Sequence, residues 1–213
     1  MQEEKKKIAV LVSGGGTNLQ ALLDAEARGD LKSGTVSVVI ASKPGVYALE
    51  RAEKAGVEGI CVERKSFAAR EAYEAALLKE LAARSIDVLV LAGFMLVLSE
   101  DFIKQYPDRI INVHPALIPS FCGDGFYGLH VHERALEYGV KVTGATVHFV
   151  NEVTDGGAII LQKAVPIPEG ITAEALQKLV MEQAEHILLP QAAELLCAGR
   201  LHREGRRVVI DEV

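Results

Sequence analysis

Short continuous apolar runs alternate along this chain with stretches in which apolar residues recur every three or four positions. Ile8-Ala9-Val10-Leu11-Val12 is the first run, and its β-branched residues predict a strand buried on both faces. Leu19, Leu22 and Leu23 follow at helical spacing. Residues 36–40 predict a second strand, residues 46–55 a helix closed by Gly56, and residues 59–62 a short third strand. Residues 67–85 carry Phe67, Tyr73, Leu77, Leu78 and Leu81 on one side, the pattern of a long amphipathic helix. Residues 87–92 predict a fourth buried strand, stopped by Gly93. This β-α-β-α order implies an α/β fold: a doubly wound, mainly parallel sheet with helices on both faces.

The second half is more mixed. Residues 110–115 predict a strand ended by Pro115, residues 131–138 a short helix, and residues 141–150 and 157–165 two further strands, the last ended by Pro166. Residues 172–198 are helical, with Pro190 kinking the helix or opening a new segment. Residues 201–210, around Glu204-Gly205, predict a C-terminal hairpin. With no repeat, low-complexity segment or linker, one domain is expected over 1–213. Its nucleotide-type half covers about 1–105 and its mixed half about 106–213. Ligands of such sheets bind beyond the carboxyl ends of the strands, where residues 13–18, 93–98 and 112–115 converge.

Composition narrows the function class. Over 213 residues, 49% hydrophobic and 24% charged content suits a globular protein with a full core. A net charge of -6 argues against general affinity for nucleic acid or anionic membranes, though not against a local basic pocket. Cys61, Cys122 and Cys197 show no C-x-x-C spacing and read as reduced intracellular thiols. Lys5-Lys6-Lys7 precedes only five apolar residues, too few for a secretory core, and no run is long enough to cross a bilayer. A cytoplasmic protein is expected.

Candidate chemistry gathers at the strand ends. Ser13-Gly14-Gly15-Gly16-Thr17-Asn18 runs from a strand into a helix N-terminus and can cradle an anion; it can equally be a tight turn without ligand. Leu19 stands where G-x-G-x-x-G needs its last glycine, and no Walker lysine follows. Phe94-Met95-Leu96-Val97-Leu98 is either core or a wall for a flat aromatic ligand. Ser120 to Gly128 holds three glycines and three aromatics in nine residues, as a flap or a packed loop would.

Asn112 and His114 are two apart on a strand, so both side chains share one face. Asp155 lies in a loop before Gly156-Gly157, as a turn residue or as a carboxylate that raises the His114 pKa and fixes its tautomer. A donor, a titratable ring and a carboxylate suit proton-coupled transfer of a carbonyl group. His114, His130, His132 and Glu133 are conceivable metal ligands, yet no H-E-x-x-H or cysteine pairing accompanies them, so no metal is expected. Cys122 has no assigned base and is a poor nucleophile candidate.

Taken together, Ser13 to Leu19, Ala92-Gly93-Phe94-Met95, Ile111-Asn112-Val113-His114-Pro115 with Leu117-Ile118-Pro119, Gly128-Leu129-His130, and Thr146-Val147-His148-Phe149-Val150 with Asp155-Gly156-Gly157 closely resemble the folate-dependent formyltransferases, over about residues 8–201. The N-terminal glycine loop points, within that family, to transfer onto glycinamide ribonucleotide in purine (IMP) biosynthesis.

The resemblance implies Asn112, His114 and Asp155 as the catalytic trio. It assigns Gly16, Thr17, Asn18, Glu182 and Glu185 to the ribonucleotide. It assigns Arg70, Met95, Leu96, Val97, Leu98, Asn112, Asn151, Glu152, Val153, Thr154 and Asp155 to the folate. It also implies 10-formyltetrahydrofolate as cosubstrate, no metal, two small-molecule partners, and a monomer or homodimer. Two departures stand out: Leu96 replaces the arginine of some relatives, leaving a backbone contact there, and Phe121 to Gly125 lengthens the loop after Pro119. Formyltetrahydrofolate hydrolases carry an extra N-terminal domain, whereas seven residues precede the first strand here; methionyl-tRNA formyltransferases carry an extra RNA-binding domain. A rival of another class is a phosphate-binding module without catalysis, indifferent to loss of Asn112 or His114.

Overall fold

The computed structural model describes residues 4–212; residues 1–3 and 213 of the expected domain lie outside them. In chain order the elements are β1 (Lys6–Val12), α1 (Thr17–Arg28), β2 (Gly34–Ala41), α2 (Tyr47–Lys54), β3 (Glu58–Cys61), α3 (Arg70–Ala83), β4 (Val88–Leu91), α4 (Glu100–Ile103), β5 (Ile110–His114), α5 (Leu129–Tyr138), β6 (Val142–Phe149), β7 (Ile159–Pro166), α6 (Ala173–Val180), α7 (His186–Cys197), β8 (Leu201–Glu204) and β9 (Arg207–Ile210). The main sheet has the order β3-β2-β1-β4-β5-β6-β7, and β8 and β9 form the separate antiparallel hairpin. The first five strands of that order pair in parallel, whereas β6 is antiparallel to both β5 and β7.

The continuous apolar runs are explained by burial on both faces. Ile8, Val10 and Val12 of β1 point into a core with Leu19 and Leu22 of α1, Val180 of α6 and Leu189 of α7. Ala9 and Leu11 point the other way, onto Tyr73, Leu77 and Leu81 of α3 and Phe102 of α4. A strand with helices on both sides has no solvent face, so the usual alternation of polar and apolar residues disappears.

Three boundaries differ from the pattern. The helix expected from residue 67 starts at Arg70, because Arg64–Ser66 forms a 3-10 turn and Phe67 leaves it extended. Phe67 still packs edge-on against Tyr73, at 5.8 Å between centroids, which is why it shared the apolar stripe. The short α4, begun by the Ser99 Oγ accepting from the Phe102 N–H, had no periodicity to announce it. The C-terminal helical region starts as α6, capped by Thr172, passes through a π turn over Met181–Glu185, and resumes as α7 with Pro190 inside. Proline lacks the N–H and crowds the carbonyl of His186, so the irregular turn falls just before it.

Candidate active site

β2 lies on one side of β1 and β4 on the other, so the chain reverses direction across the sheet at the carboxyl ends of β1 and β4. That is where an open α/β sheet forms its crevice. Ser13 ties the two ends together. Its N–H donates to the Gly93 carbonyl at 3.1 Å, and its Oγ accepts from the Met95 N–H at 3.0 Å and pairs with the Ser42 Oγ at 2.7 Å.

Next to this point a cleft of about 540 Å³ opens over β4 and β5. One wall is residues 93–98, the other is the loop from Gly123 to Gly128, and the floor holds Asn112, His114, His148 and Asp155. The apolar stretch divides between core and cleft. Leu98 is buried in the core, whereas Met95 and Val97 are about half exposed and face the cleft.

His114 is buried and held from both nitrogens. Nε2 is 2.8 Å from the Phe121 carbonyl oxygen and must carry a proton to make that bond; Nδ1 is 3.4 Å from Asp155 Oδ2. Asp155 is fixed in turn, its Oδ2 accepting from the Gly123 N–H at 3.0 Å and its Oδ1 lying 3.5 Å from His148 Nε2. Phe121 and Asp155, the two residues that hold His114, have φ of 47° and 53°, in the left-handed region. That local strain is stabilised by the contacts these residues make.

The cross-strand partner of Asn112 is His148. His148 Nδ1 donates to the Phe149 carbonyl at 2.8 Å, which leaves Nε2 of the neutral ring as acceptor for the Asn112 Nδ2 at 3.3 Å. The amide is thereby oriented, and its second N–H is left for the cleft. In the sequence His148 stands only inside the motif from Thr146 to Val150, with no role of its own. The available signal was a polar residue inside a run that β5 would pair with directly.

Asp155 pulls the His114 pKa up, as its carboxylate predicts, but the net shift is downward and not the rise expected. Burial instead dominates and holds the imidazole below its ordinary value, with Asp155 and the Phe121 carbonyl pulling the other way and His148 adding to the lowering. Burial also pushes the Asp155 carboxyl up, but the neighbouring His148 and His114 rings and the Gly123 N–H outweigh it, and the group stays below the usual carboxylate range.

A second set of residues lies beside the glycine loop. The first residue of α1 follows Gly16, whose φ is 74° and where a Cβ would come within 2.7 Å of the Ala48 Cβ, so only glycine lets α2 pack this closely. No side chain caps this helix start. From the first turn, Asn18 Nδ2 donates to Glu185 Oε2 at 2.7 Å, while the Asn18 Oδ1 is buried without a partner. Burial pushes the Glu185 carboxyl up to about 7 against the opposing bond from Asn18.

A raised carboxyl binds its proton more tightly folded than unfolded. The stability it contributes is therefore complete below about 4.5 and lost as pH rises through about 7. The E185Q substitution keeps the acceptor and removes the titration. It is expected to flatten a decline on the order of 3 kcal/mol in unfolding free energy between pH 5 and 8, measured by urea denaturation. An unchanged decline would show that Glu185 is not its source.

Not every expected residue joins these sites. Thr17, Asn18 and Glu185 come together with Gly16, but Glu182 is exposed and 3.8 Å from Lys178. Arg70 lines a separate 210 Å³ cleft with Arg64, Tyr73 and Glu74, which shares residues 96–98 with the main one. Asn151, Val153, Thr154 and Asp155 line the main cleft; Glu152 does not. The lengthened loop is packed as well as lining the cleft, Phe121 lying 6.4 Å from Phe126 and 6.0 Å from Tyr138. Burial and the Asp155 charge push the Cys122 thiol up, so nothing activates it. Among the described residues no group of three or more His, Cys, Asp or Glu is gathered as metal ligands, and no helix is long and apolar enough to cross a membrane.

Comparison with known proteins follows the same lines. A family model described as formyl transferase matches residues 6–193. The chain is 41% identical over 204 residues to the phosphoribosylglycinamide formyltransferase of Escherichia coli, covering 96% of this chain and 93% of that protein. It is 44% identical over 202 residues to the trifunctional purine biosynthetic protein adenosine-3 of Drosophila melanogaster, covering 93% of this chain but only 14% of that much longer protein. The crystal structure of glycinamide ribonucleotide transformylase 1 from Symbiobacterium toebii superposes with a TM-score of 0.92 at 44% identity, covering 99% of this chain and 96% of that one.

Proposed function

This chain belongs to the formyl transferase family, and from that premise we propose that it transfers the formyl group of 10-formyltetrahydrofolate to the amine of N1-(5-phospho-D-ribosyl)glycinamide, a step of purine synthesis in the cytoplasm. The observation that carries this reading is the linked set of Asn112, His148, Asp155 and His114 on the floor of a cleft whose neighbour is an uncapped helix start. The cleft takes the folate, with Met95 and Val97 against its flat rings; the α1 N-terminus takes the ribose phosphate.

The amine nitrogen attacks the formyl carbon, making a tetrahedral oxyanion; the bond from that carbon to N10 of the folate then breaks, and a proton passes from the amine to N10. Asn112 donates its free N–H to the oxyanion, a contact worth about 3–4 kcal/mol when preorganised. His114 is neutral near pH 7 because of its burial, and its Nδ1 edge, beside Asp155, accepts and returns the proton. Its Nε2–H is engaged by the Phe121 carbonyl, so donation from that side to the formyl oxygen requires the loop to shift. Glu185, its carboxyl pushed up to about 7, sits by the amine and takes the proton that the ammonium must lose before the nitrogen attacks.

Consumption of 10-formyltetrahydrofolate by purified protein, with and without the ribonucleotide and after EDTA, tests this directly. Turnover that needs the ribonucleotide and ignores EDTA is expected. Turnover without it would mean a hydrolase, and none in either case would mean a binding module.

The pH dependence is a second check. Asp155→Asn removes the charge that supports protonated His114, so the imidazole pKa falls further and the acidic limb of the kcat profile moves to lower pH. An unmoved limb would separate His114 from Asp155.

A further inference from the structure

We propose that Arg51 determines selectivity for a phosphorylated acceptor, by turning the glycine loop so that its N–H groups meet the phosphate and by placing a positive charge beside it. This deepens the assignment of residues 16–18 to the ribose phosphate and rests on it. Arg51 belongs to α2, and nothing in its local sequence distinguishes it from a solvated helix arginine.

In the fold its Nε donates to the Gly15 carbonyl at 2.8 Å and its Nη1 to the Gln20 Oε1 at 3.0 Å. The guanidinium also stacks 4.8 Å from the Tyr47 ring centroid, so three contacts fix it. The two hydrogen bonds span the loop and the first turn of the 12-residue α1, clamping both. A carbonyl held by a guanidinium cannot also face an anion, so Gly15 presents its oxygen to Arg51 and leaves the N–H side of the turn for the phosphate.

Two buried polar atoms near this loop have no protein partner and support a polar ligand here. Asn18, in the same helical turn, is only 8% exposed, yet its Oδ1 has no partner. His186, next to the Glu185 that Asn18 bonds, has a buried Nε2 with none either. Orphaned buried polar atoms are costly, and they cluster around this loop.

The test compares kcat/KM for the ribonucleotide with that for the same acceptor lacking its phosphate. Arg51→Ala should lower the ratio of the two about 30-fold, the scale of one lost charge-assisted hydrogen bond, mainly through KM for the phosphorylated acceptor. Arg51→Lys restores charge without the two-pronged clamp and should recover only part of the ratio. A residue needed merely for folding would lower both acceptors alike, and an unchanged ratio in folded Arg51→Ala would overturn the proposal. Inorganic phosphate gives a readout independent of turnover: it should raise the unfolding temperature of the natural protein and not of Arg51→Ala, whereas equal protection would count against Arg51. Failure of the natural protein to use the ribonucleotide at all would instead refute the acceptor assignment.

Discussion

Replacing His114 with alanine is expected to lower kcat by at least about a hundredfold with the fold intact. The ring lies at the end of β5, and in the proposed mechanism it contributes a proton path. With it gone, Asp155 loses the ring 3.4 Å from its Oδ2 and the Phe121 carbonyl loses its donor, so the loop over the cleft loosens as well. Asn112→Ala should fall in the same range by a different route, because it removes an oxyanion donor and leaves the His148 Nε2 without the group it orients. Steady-state kinetics on variants with natural circular dichroism and unfolding temperature decides the matter. Near-normal turnover of His114→Ala would sink the mechanism.

What could be read in advance depended on whether the information was local. The strands of the first half were legible because burial on both faces removes polar residues from β1, β2 and β4, and the glycine loop was legible because three small residues in a row mark one turn. Asn112 and His114 could be placed on one face because strand geometry requires it. Asp155 could be nominated from its glycines, but its partners His114 and His148 stand on β5 and β6, and only the pairing of those two strands brings both rings to it. The sign of the His114 shift could not be read at all: a carboxylate neighbour is visible in sequence, whereas the depth of burial that outweighs it is a property of the packed sheet. Arg51 escaped for a similar reason. Its meaning comes from α2 lying against the loop after β1, a contact that Gly16 permits and no periodicity reports.

The position with the least room is Gly157, and its substitution should have an effect as large as that of His114. A Cβ there would lie 1.6 Å from the Phe149 carbonyl oxygen and 3.5 Å from the His148 Nδ1. The first distance is far inside any tolerated contact, and the atom met is backbone, so the strand itself must move. At the same place the Phe149 N–H donates to the Ala158 carbonyl at 2.9 Å, where the β6–β7 register shifts beside His148. Gly157→Ala therefore has to break that bond or displace the turn that begins two residues earlier with Asp155. The expected cost is about 4 kcal/mol or more, a fall in unfolding temperature of about 10 °C, because overpacking against backbone has no rotamer by which to relax. Turnover of whatever remains folded should drop at least about a hundredfold, since a displacement of an ångström at a catalytic carboxylate has that effect. Calorimetry and kinetics at a temperature well below the transition separate the two losses. A variant with natural stability and natural kcat would mean that the approach of Gly157 to β6 does not hold Asp155 in place.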